Sequence, residues 1–590
     1  MRIRTVLTTL LLVLASCTTA KAADFSFDYD VTYAVKDTGT THVRQNIIIT
    51  NETTQYYPRN YTLTISSNSV TNVNARDSGP ITPEVSLNND ETTITVPFNT
   101  IAAGIHKELP FTLEYDLDEV ATLKGGIWEI IIPGTEKKED VNSYTITLAT
   151  PDSFGSPAYF SPLKKATDLV WEWPEHAGRG ISAAFGNLQS FAFTLHYHLF
   201  NDSSRSELQE ITLPPDTAFQ KIIINSMSET PQSVRTDTDG NWLATISLSP
   251  RSEKEIIASG TAYLFIKPQP GFAQKLSDAD YQTYTSNQPY WDQSEEIIAK
   301  AKELKTAENI YNFVVSHLQY DYSRLEPGIE RLGAKTAYAY PGRSVCMEFS
   351  DLFVALARSA GIPAREIHGY AYTTNSRLQP LSLGADILHA WAEYYDDNRQ
   401  LWIPVDPTWG NTTHGVNYFH QLDFNHVAFA ILGVDSGYPY PAGAFRTSNN
   451  QKDVFIEFTT PDPKMPQPEF LLKFPPFMFT ISGFKTTIPI TVANTGSVLI
   501  PRLVLTTTTF NARAQTESQL PPFATTVVPL QINPGIVWAG GKTPFVVTAD
   551  GQEFSSTITV IPIYVPVAAG AFAVALFGIL ILHVKRKLTR

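Results

Sequence analysis

The sequence predicts a multidomain chain in which an α+β module is flanked by all-β sandwich domains and followed by one C-terminal transmembrane helix. Three observations carry this. Apolar and polar residues alternate with period two through most of 24–265 and again beyond 450, the pattern of strands with one buried face. Helical spacing replaces the alternation from Ser294 to Gly361. Residues 563–584 form a run of 22 without a charge, enough to cross a hydrocarbon core of about 30 Å as a helix.

At 590 residues the chain exceeds a single domain, since domains average roughly 100–200 residues. Charged residues are 17%, aromatics 12%, and proline numbers 40, a composition that favours β-rich modules. A formal net charge of -14 excludes broad neutralisation of nucleic-acid phosphates.

The elements follow in order. Arg2 and Arg4 precede an apolar run at 6–15, and Ala20-Lys21-Ala22 supplies a small-x-small cleavage pattern, so 1–22 is expected to be a signal peptide. Leu14-Ala15-Ser16-Cys17 also matches a bacterial lipobox, in which Cys17 would be lipidated; both readings stand. Residues 23–150 are expected to form an N-terminal β-sandwich, with Phe25, Phe27, Tyr29, Val31 and Tyr33 on one face of its first strand. A second β-rich domain is expected over 151–268, and whether it is a separate sandwich or part of one larger sandwich stays open. Lys267-Pro268-Gln269-Pro270-Gly271 marks a boundary before the α+β module at 290–440. An immunoglobulin-like sandwich is expected over 455–560, with Asn494-Thr495-Gly496 as a turn. Pro562 and Pro566 delay regular helix until about Val567 in the 563–584 span. The basic tail 585–590 then places the C-terminus in the cytoplasm and the bulk of the chain outside.

Chemistry concentrates in the α+β module. With Cys17 removed or lipidated, Cys346 has no disulfide partner and is either an inert buried thiol or a used one. Phe349, Leu352, Phe353, Leu356, Ala357 and Ala360 fall on one helical stripe, which Gly361 and Pro363 end. Ser344 is the expected N-cap, which puts Cys346 in the first turn, where free N–H groups and the helix dipole stabilise a thiolate. Residues 387–395 read as a strand carrying His389, and 401–405 as the next strand of a hairpin, with Asp406 at its end within reach of the imidazole. A thiol, an imidazole to take its proton and a carboxylate to orient the ring make a nucleophilic triad.

The run Cys-x-x-Phe-Ser-x-x-Phe-x-Ala-Leu-Ala-Arg-x-Ala-Gly-Ile-Pro-Ala-Arg from Cys346, followed by His368-Gly369-Tyr370, closely resembles the transglutaminase-like superfamily around its nucleophile. His389-Ala390-Trp391 and Asp406-Pro407-Thr408-Trp409 resemble the family's other two blocks, at spacings of 43 and 17 residues. The resemblance spans about 294–435 and implies a papain-like core of the membrane-anchored bacterial type, with Cys346 as nucleophile, His389 as base and acid, and Asp406 as orienter. Ser344 departs from the glycine that the family often has shortly before its cysteine.

Other residues receive plainer readings. His414, His420 and His426 are spaced by six, unlike a common zinc pattern, and are read as solvated or scaffold histidines; no metal and no cofactor is assigned. Trp391 and Trp409 either wall an acyl tunnel or belong to the core. Tyr320 is a candidate oxyanion donor or a packing residue, His368 is placed at a turn or strand edge, and Glu348 and Asp351 are read as favouring the helix dipole. The expected function is thiol-dependent acyl transfer or hydrolysis on protein or peptide amides outside the cell. The alternatives are a cysteine peptidase, an amidase acting on cell-wall components, or a non-catalytic surface scaffold.

Overall fold

The computed structural model describes residues 24–588 apart from 89–90, 119, 135–139, 166, 174, 177–179, 326–328, 374–378, 384–386, 414–415, 421, 446–450 and 463. The expected signal peptide, including the lipobox at Cys17, lies outside the described residues, as does His414.

The chain divides into two compact units. The first takes the described residues of Met1–Thr122, Ile131–Ser153 and Lys164–Arg179 and holds a seven-stranded and a three-stranded sheet. Its period-two pattern is literal: along Thr41–Asn51 every second residue is buried, including Val43, Ile47 and Ile49. Strand Val170–Glu172 pairs with Val141–Ala149 and carries the fully buried Trp171, so this sheet continues past residue 150. Alternation identifies strands and faces but not partners, and a return to the sheet edge after a turn-rich segment leaves no periodic trace.

The second unit takes Leu123–Ile130, Phe154–Leu163 and Gly180–Arg590. Its first sandwich has a four-stranded sheet in the order Gln220–Met227, Ser252–Phe265, Leu188–Asn201, Val454–Phe458, and a three-stranded sheet in the order Glu207–Leu213, Trp242–Leu248, Ser233–Thr236. Phe191, Tyr197, Ile211, Trp242, Ile246 and Ile256 from the two sheets share one buried cluster. The strand Val454–Phe458, expected in the C-terminal sandwich, pairs here with Leu188–Asn201. That C-terminal sandwich starts at Phe470–Lys473 and packs a three-stranded sheet and a five-stranded sheet over Ile490, Val492, Leu530, Phe545 and Ile558.

Between the two sandwiches lies the α+β core. Helices Glu295–Leu304 and Ala307–His317 begin at Ser294 and Thr306, whose side chains accept first-turn N–H groups. Helix Cys346–Ser359 packs against them and against strand Ile387–Asp396, with Phe349, Leu352, Phe353 and Leu356 excluded from solvent. Strand Ile387–Asp396 lies between Leu401–Val405 and Ala364–Ala371, and Ala364–Ala371 in turn pairs with His426–Leu432. All of these pairings are antiparallel.

The outer edge of His426–Leu432 is closed by side chains of the first sandwich rather than by another strand. Gln220 donates to Ala428 O (3.0 Å) and accepts from Ala428 N (2.8 Å). Asn241 does the same at Ile431, with 2.7 Å in both directions. Asp239 accepts from the N–H groups of Gly433 and Val434. Buried backbone groups that would otherwise go unpaired are thus satisfied by two amides and a carboxylate.

The C-terminal helix runs Tyr564–Leu588 and is long and apolar enough to cross a membrane over Tyr564–Arg586. It begins before Val567, because Pro566 sits in the first turn, where no intrahelical N–H bond is lost.

Replacing Asn241 by Leu, which keeps the branched shape and removes both bonds to Ile431, is expected to destabilise the second unit by about 1–3 kcal/mol. Chemical denaturation followed by tryptophan fluorescence measures it, and an unchanged midpoint would contradict the role given to the amide.

Candidate active site

Residues 346, 389 and 406 arrive from three different elements. Cys346 is the first residue of helix Cys346–Ser359, His389 lies on strand Ile387–Asp396, and Asp406 caps the short helix Pro407–Thr412 that follows strand Leu401–Val405. All three are buried.

The helix N-cap is Val345, not Ser344. Ser344 is held one step earlier, in a bridge to Tyr320, and its carbonyl accepts from Asp321 N at 2.8 Å. Valine has no side-chain acceptor, so the N–H groups of the first turn stay uncapped beside the sulfur. Glu348 does more than favour the dipole. Its buried carboxylate accepts from Val345 N (2.9 Å), Leu332 N (2.8 Å) and Arg324 (3.0 Å), fixing the approach to Cys346. One turn on, Asp351 pairs with Arg331, whose guanidinium also contacts Glu366, and Glu366 bonds His368 at 2.9 Å.

His368 therefore sits inside a strand paired on both sides, not at a turn. Gly369, the residue that suggested a turn, is required by close approach: a Cβ there would meet Val427 O at 2.1 Å and the Trp391 ring at 2.8 Å.

Asp406 is the most heavily bonded group in the site. Its Oδ1 accepts from Thr408 N (2.8 Å) and Trp409 N (3.1 Å). Its Oδ2 accepts from His389 Nε2 at 3.0 Å and faces His426 Nε2 at 3.4 Å. The other nitrogen of His426 bonds Asp423 at 2.7 Å. His389 Nδ1 is buried and makes no hydrogen bond, while the nearby Cys346 thiol adds to the field that favours a proton on the ring. A row of alternating groups results: Cys346, His389, Asp406, His426, Asp423. Trp409 and Trp391 flank it, with ring centroids 5.1 and 6.2 Å from that of His389.

The electrostatics follow from burial and from this row. Desolvation opposes charge on the His389 ring, but the Asp406 carboxylate and then the sulfur outweigh it and raise the imidazole to about 9. His426 is likewise raised to about 9, its desolvation outweighed by Asp423 and Asp406. Burial pushes Asp406 upward, yet its two histidine partners hold it well below the usual carboxylate range. Each ring therefore holds its proton more tightly than a free imidazole, and Asp406 favours its ionised form.

His389, Asp406 and His426 also offer three ligand atoms within 4.8 Å of one another, the set able to hold a metal ion among the described residues. Both imidazoles already bond the same carboxylate oxygen, so shared protons account for the arrangement. A cation there would displace the protons on which an imidazole base depends. His420 stands apart on an exposed loop, 3.4 Å from Glu308.

One contact of the site goes beyond what the sequence predicts. Of the two readings of His426, solvated or scaffold, the solvated one fails: the residue opens the fully buried strand His426–Leu432 and touches Asp406. Its one signal was a histidine heading an unbroken apolar run. Tyr320, weighed as packing or oxyanion donor, has a buried hydroxyl without a protein partner, and the Cys346 sulfur contributes to raising its pKa after desolvation.

The folded pKa of His389 and of His426 lies above the ordinary 6.5, so each ring stabilises the fold fully below pH 6.5. That contribution disappears as pH rises through about 9. Thermal unfolding is expected at lower temperature above this point, with the loss blunted in His426→Gln; a flat profile from neutral to alkaline pH would contradict the assignment.

A model of the transglutaminase-like superfamily matches residues 293–407. An uncharacterized protein of Haemophilus influenzae is 34% identical over 119 residues, which are 18% of this chain and 31% of that protein; the chain thus spans about a third of the relative's length. Among solved structures, a candidate cysteine protease from Cytophaga hutchinsonii aligns at 16% identity over 48% of this chain and 93% of that one, with a TM-score of 0.32. The periplasmic domain of TgpA from Pseudomonas aeruginosa aligns at 14% identity over 39% and 91%, with a TM-score of 0.22. Red sea bream transglutaminase aligns at 11% identity over 60% and 95%, with a TM-score of 0.18. Residues 293–407 are a transglutaminase-like domain carried within a longer, mostly β-sheet chain.

Proposed function

We propose that this chain is a membrane-anchored cysteine enzyme that acts on protein or peptide amides on the outer side of the membrane. The observation that carries the reading is the buried His389–Asp406 bond of 3.0 Å, in a site that also holds a buried thiol at an uncapped helix N-terminus. His389 takes the proton of the Cys346 thiol, and the thiolate attacks the amide carbonyl carbon while the imidazolium so formed stays paired with Asp406. The oxyanion that forms is met by first-turn N–H groups and by the unpartnered hydroxyl of Tyr320. His389 gives its proton to the departing amine, leaving a thioester on Cys346. Neutral His389 then takes a proton from the incoming nucleophile, a primary amine for transfer or water for hydrolysis, and the thioester is cleaved.

His426 and Asp423 act as positioning residues. They lie beyond the matched segment 293–407 and hold the far side of Asp406 without reaching the thiol's face of the ring. The apolar helix Tyr564–Leu588 and the basic residues Lys585, Arg586 and Lys587 support anchoring with the core outside.

Alkylation of Cys346 by iodoacetamide across pH tests the pairing. The wild type is expected to react at lower pH than a free thiol, and His389→Ala is expected to lose that advantage; identical profiles would reject the pair. Turnover of amide substrates is expected to fall about 10²-fold in Tyr320→Phe and about 10³–10⁴-fold in Asp406→Asn. For His426→Gln the expected loss is about 10–10²-fold in kcat with KM nearly unchanged, as for a misplaced base. Incorporation of a labelled primary amine against simple release of the amine product separates transfer from hydrolysis.

A further inference from the structure

The membrane-proximal end of the C-terminal sandwich exposes large apolar side chains from two separate loops. Phe484 is 56% exposed, Ile536 71% and Trp538 72%. They are not frayed ends. Buried Ser482 ties their loops to the chain exit: its N–H donates to Ile561 O at 2.9 Å, its hydroxyl donates to Gly535 O at 3.0 Å, and the same hydroxyl accepts from Val537 N. Gly483 adopts φ +81°, the left-handed region that favours glycine, and a Cβ there would sit in ordinary contact with Ile536 (3.6 Å) and Ile563 (3.7 Å). A Cβ at Gly540 would strike Val560 O at 2.3 Å and Pro562 at 2.4 Å. Three segments are thus locked into one tip beside Ile563, the residue before the helix Tyr564–Leu588.

The surroundings fit a lipid surface. The strand Gln552–Ile561 ends two residues before the helix begins, so the tip cannot stand away from whatever the helix enters. The span Tyr564–Arg586 has 23 residues, about 34 Å of helix, slightly more than a hydrocarbon core of about 30 Å. Its first turn therefore lies at the level of the headgroups, together with the exposed Tyr564. Aromatic side chains favour that zone, and loops that present tryptophan and phenylalanine beside a span extend its aromatic belt. Charge agrees: across 474–486, 533–544 and 556–567 the charged residues are Lys485 and Lys542, with no carboxylate. Both lysines are exposed.

We propose that the tip formed by Phe484, Ile536 and Trp538 inserts into the interfacial zone of the bilayer crossed by the C-terminal helix, with Lys485 and Lys542 against anionic headgroups. This rests on the reading of that helix as a membrane span, and it makes the C-terminal sandwich a docked platform rather than a spacer swinging on a linker.

The test uses the full chain reconstituted into vesicles of phosphatidylcholine and phosphatidylglycerol whose acyl chains are brominated near the headgroup. The chain has 9 tryptophans, so the Trp538 signal is the difference between the wild type and Trp538→Phe. That component is expected to emit at shorter wavelength than exposed tryptophan and to be quenched by the bromolipid, and Phe484→Ser with Ile536→Ser is expected to weaken the quenching while vesicle flotation is retained. Flotation without quenching of Trp538 would overturn the docking and leave the span intact. Failure to float would remove both. A blue shift that follows protein concentration in detergent would assign the tip to a second copy of the chain and overturn the proposal.

Discussion

The candidate site is organised around one carboxylate. Asp406 receives two backbone N–H groups on one oxygen and faces two imidazoles on the other, all inside a dry region walled by Trp391 and Trp409. A charge buried there would be costly if alone. Its donors come from the first turn of a short helix and from two strands separated by Ala364–Ala371, so the ionised oxygen requires all three elements to be in register. The same bonds hold the His389 ring in one orientation and leave its second nitrogen without a hydrogen bond. Structural satisfaction of Asp406 and the orientation of the imidazole are thus one constraint.

The sandwich before the core contributes to this arrangement without approaching the thiol. By closing the edge of strand His426–Leu432, Gln220 and Asn241 fix the strand that brings His426 to Asp406. The β module is, in this respect, a continuation of the core sheet made from side chains, which gives a physical reason for the two to share one compact unit.

Much of this was legible from residue order, and what was not has identifiable causes. The helix that bears Cys346, the hairpin from Ile387 to Val405 and the position of Asp406 at its end follow from local periodicity and turn residues, which act over a few residues. Strand His426–Leu432 was missed because a strand buried on both faces has no alternation to display. His426 was missed with it. The strand Val454–Phe458 could not be assigned to its sheet, since partner choice depends on contacts some 260 residues away that leave no mark in the strand itself. The cap was misplaced by one residue because Ser344 is a better capping residue than Val345 by local preference, but a tertiary bridge to Tyr320 claims its backbone.

That misplacement has a consequence of its own. An N-cap serine or aspartate at position 345 would make the helix more stable by about 1 kcal/mol, yet its oxygen would occupy the very N–H groups that the proposed chemistry leaves for a reacting carbonyl. The domain instead anchors the helix from its third residue, through Glu348 and Arg324, and tolerates an open first turn. Val345 is thus a place where robustness and reactivity compete for the same amides, and a version of this protein bred only for heat resistance would be drawn toward closing it.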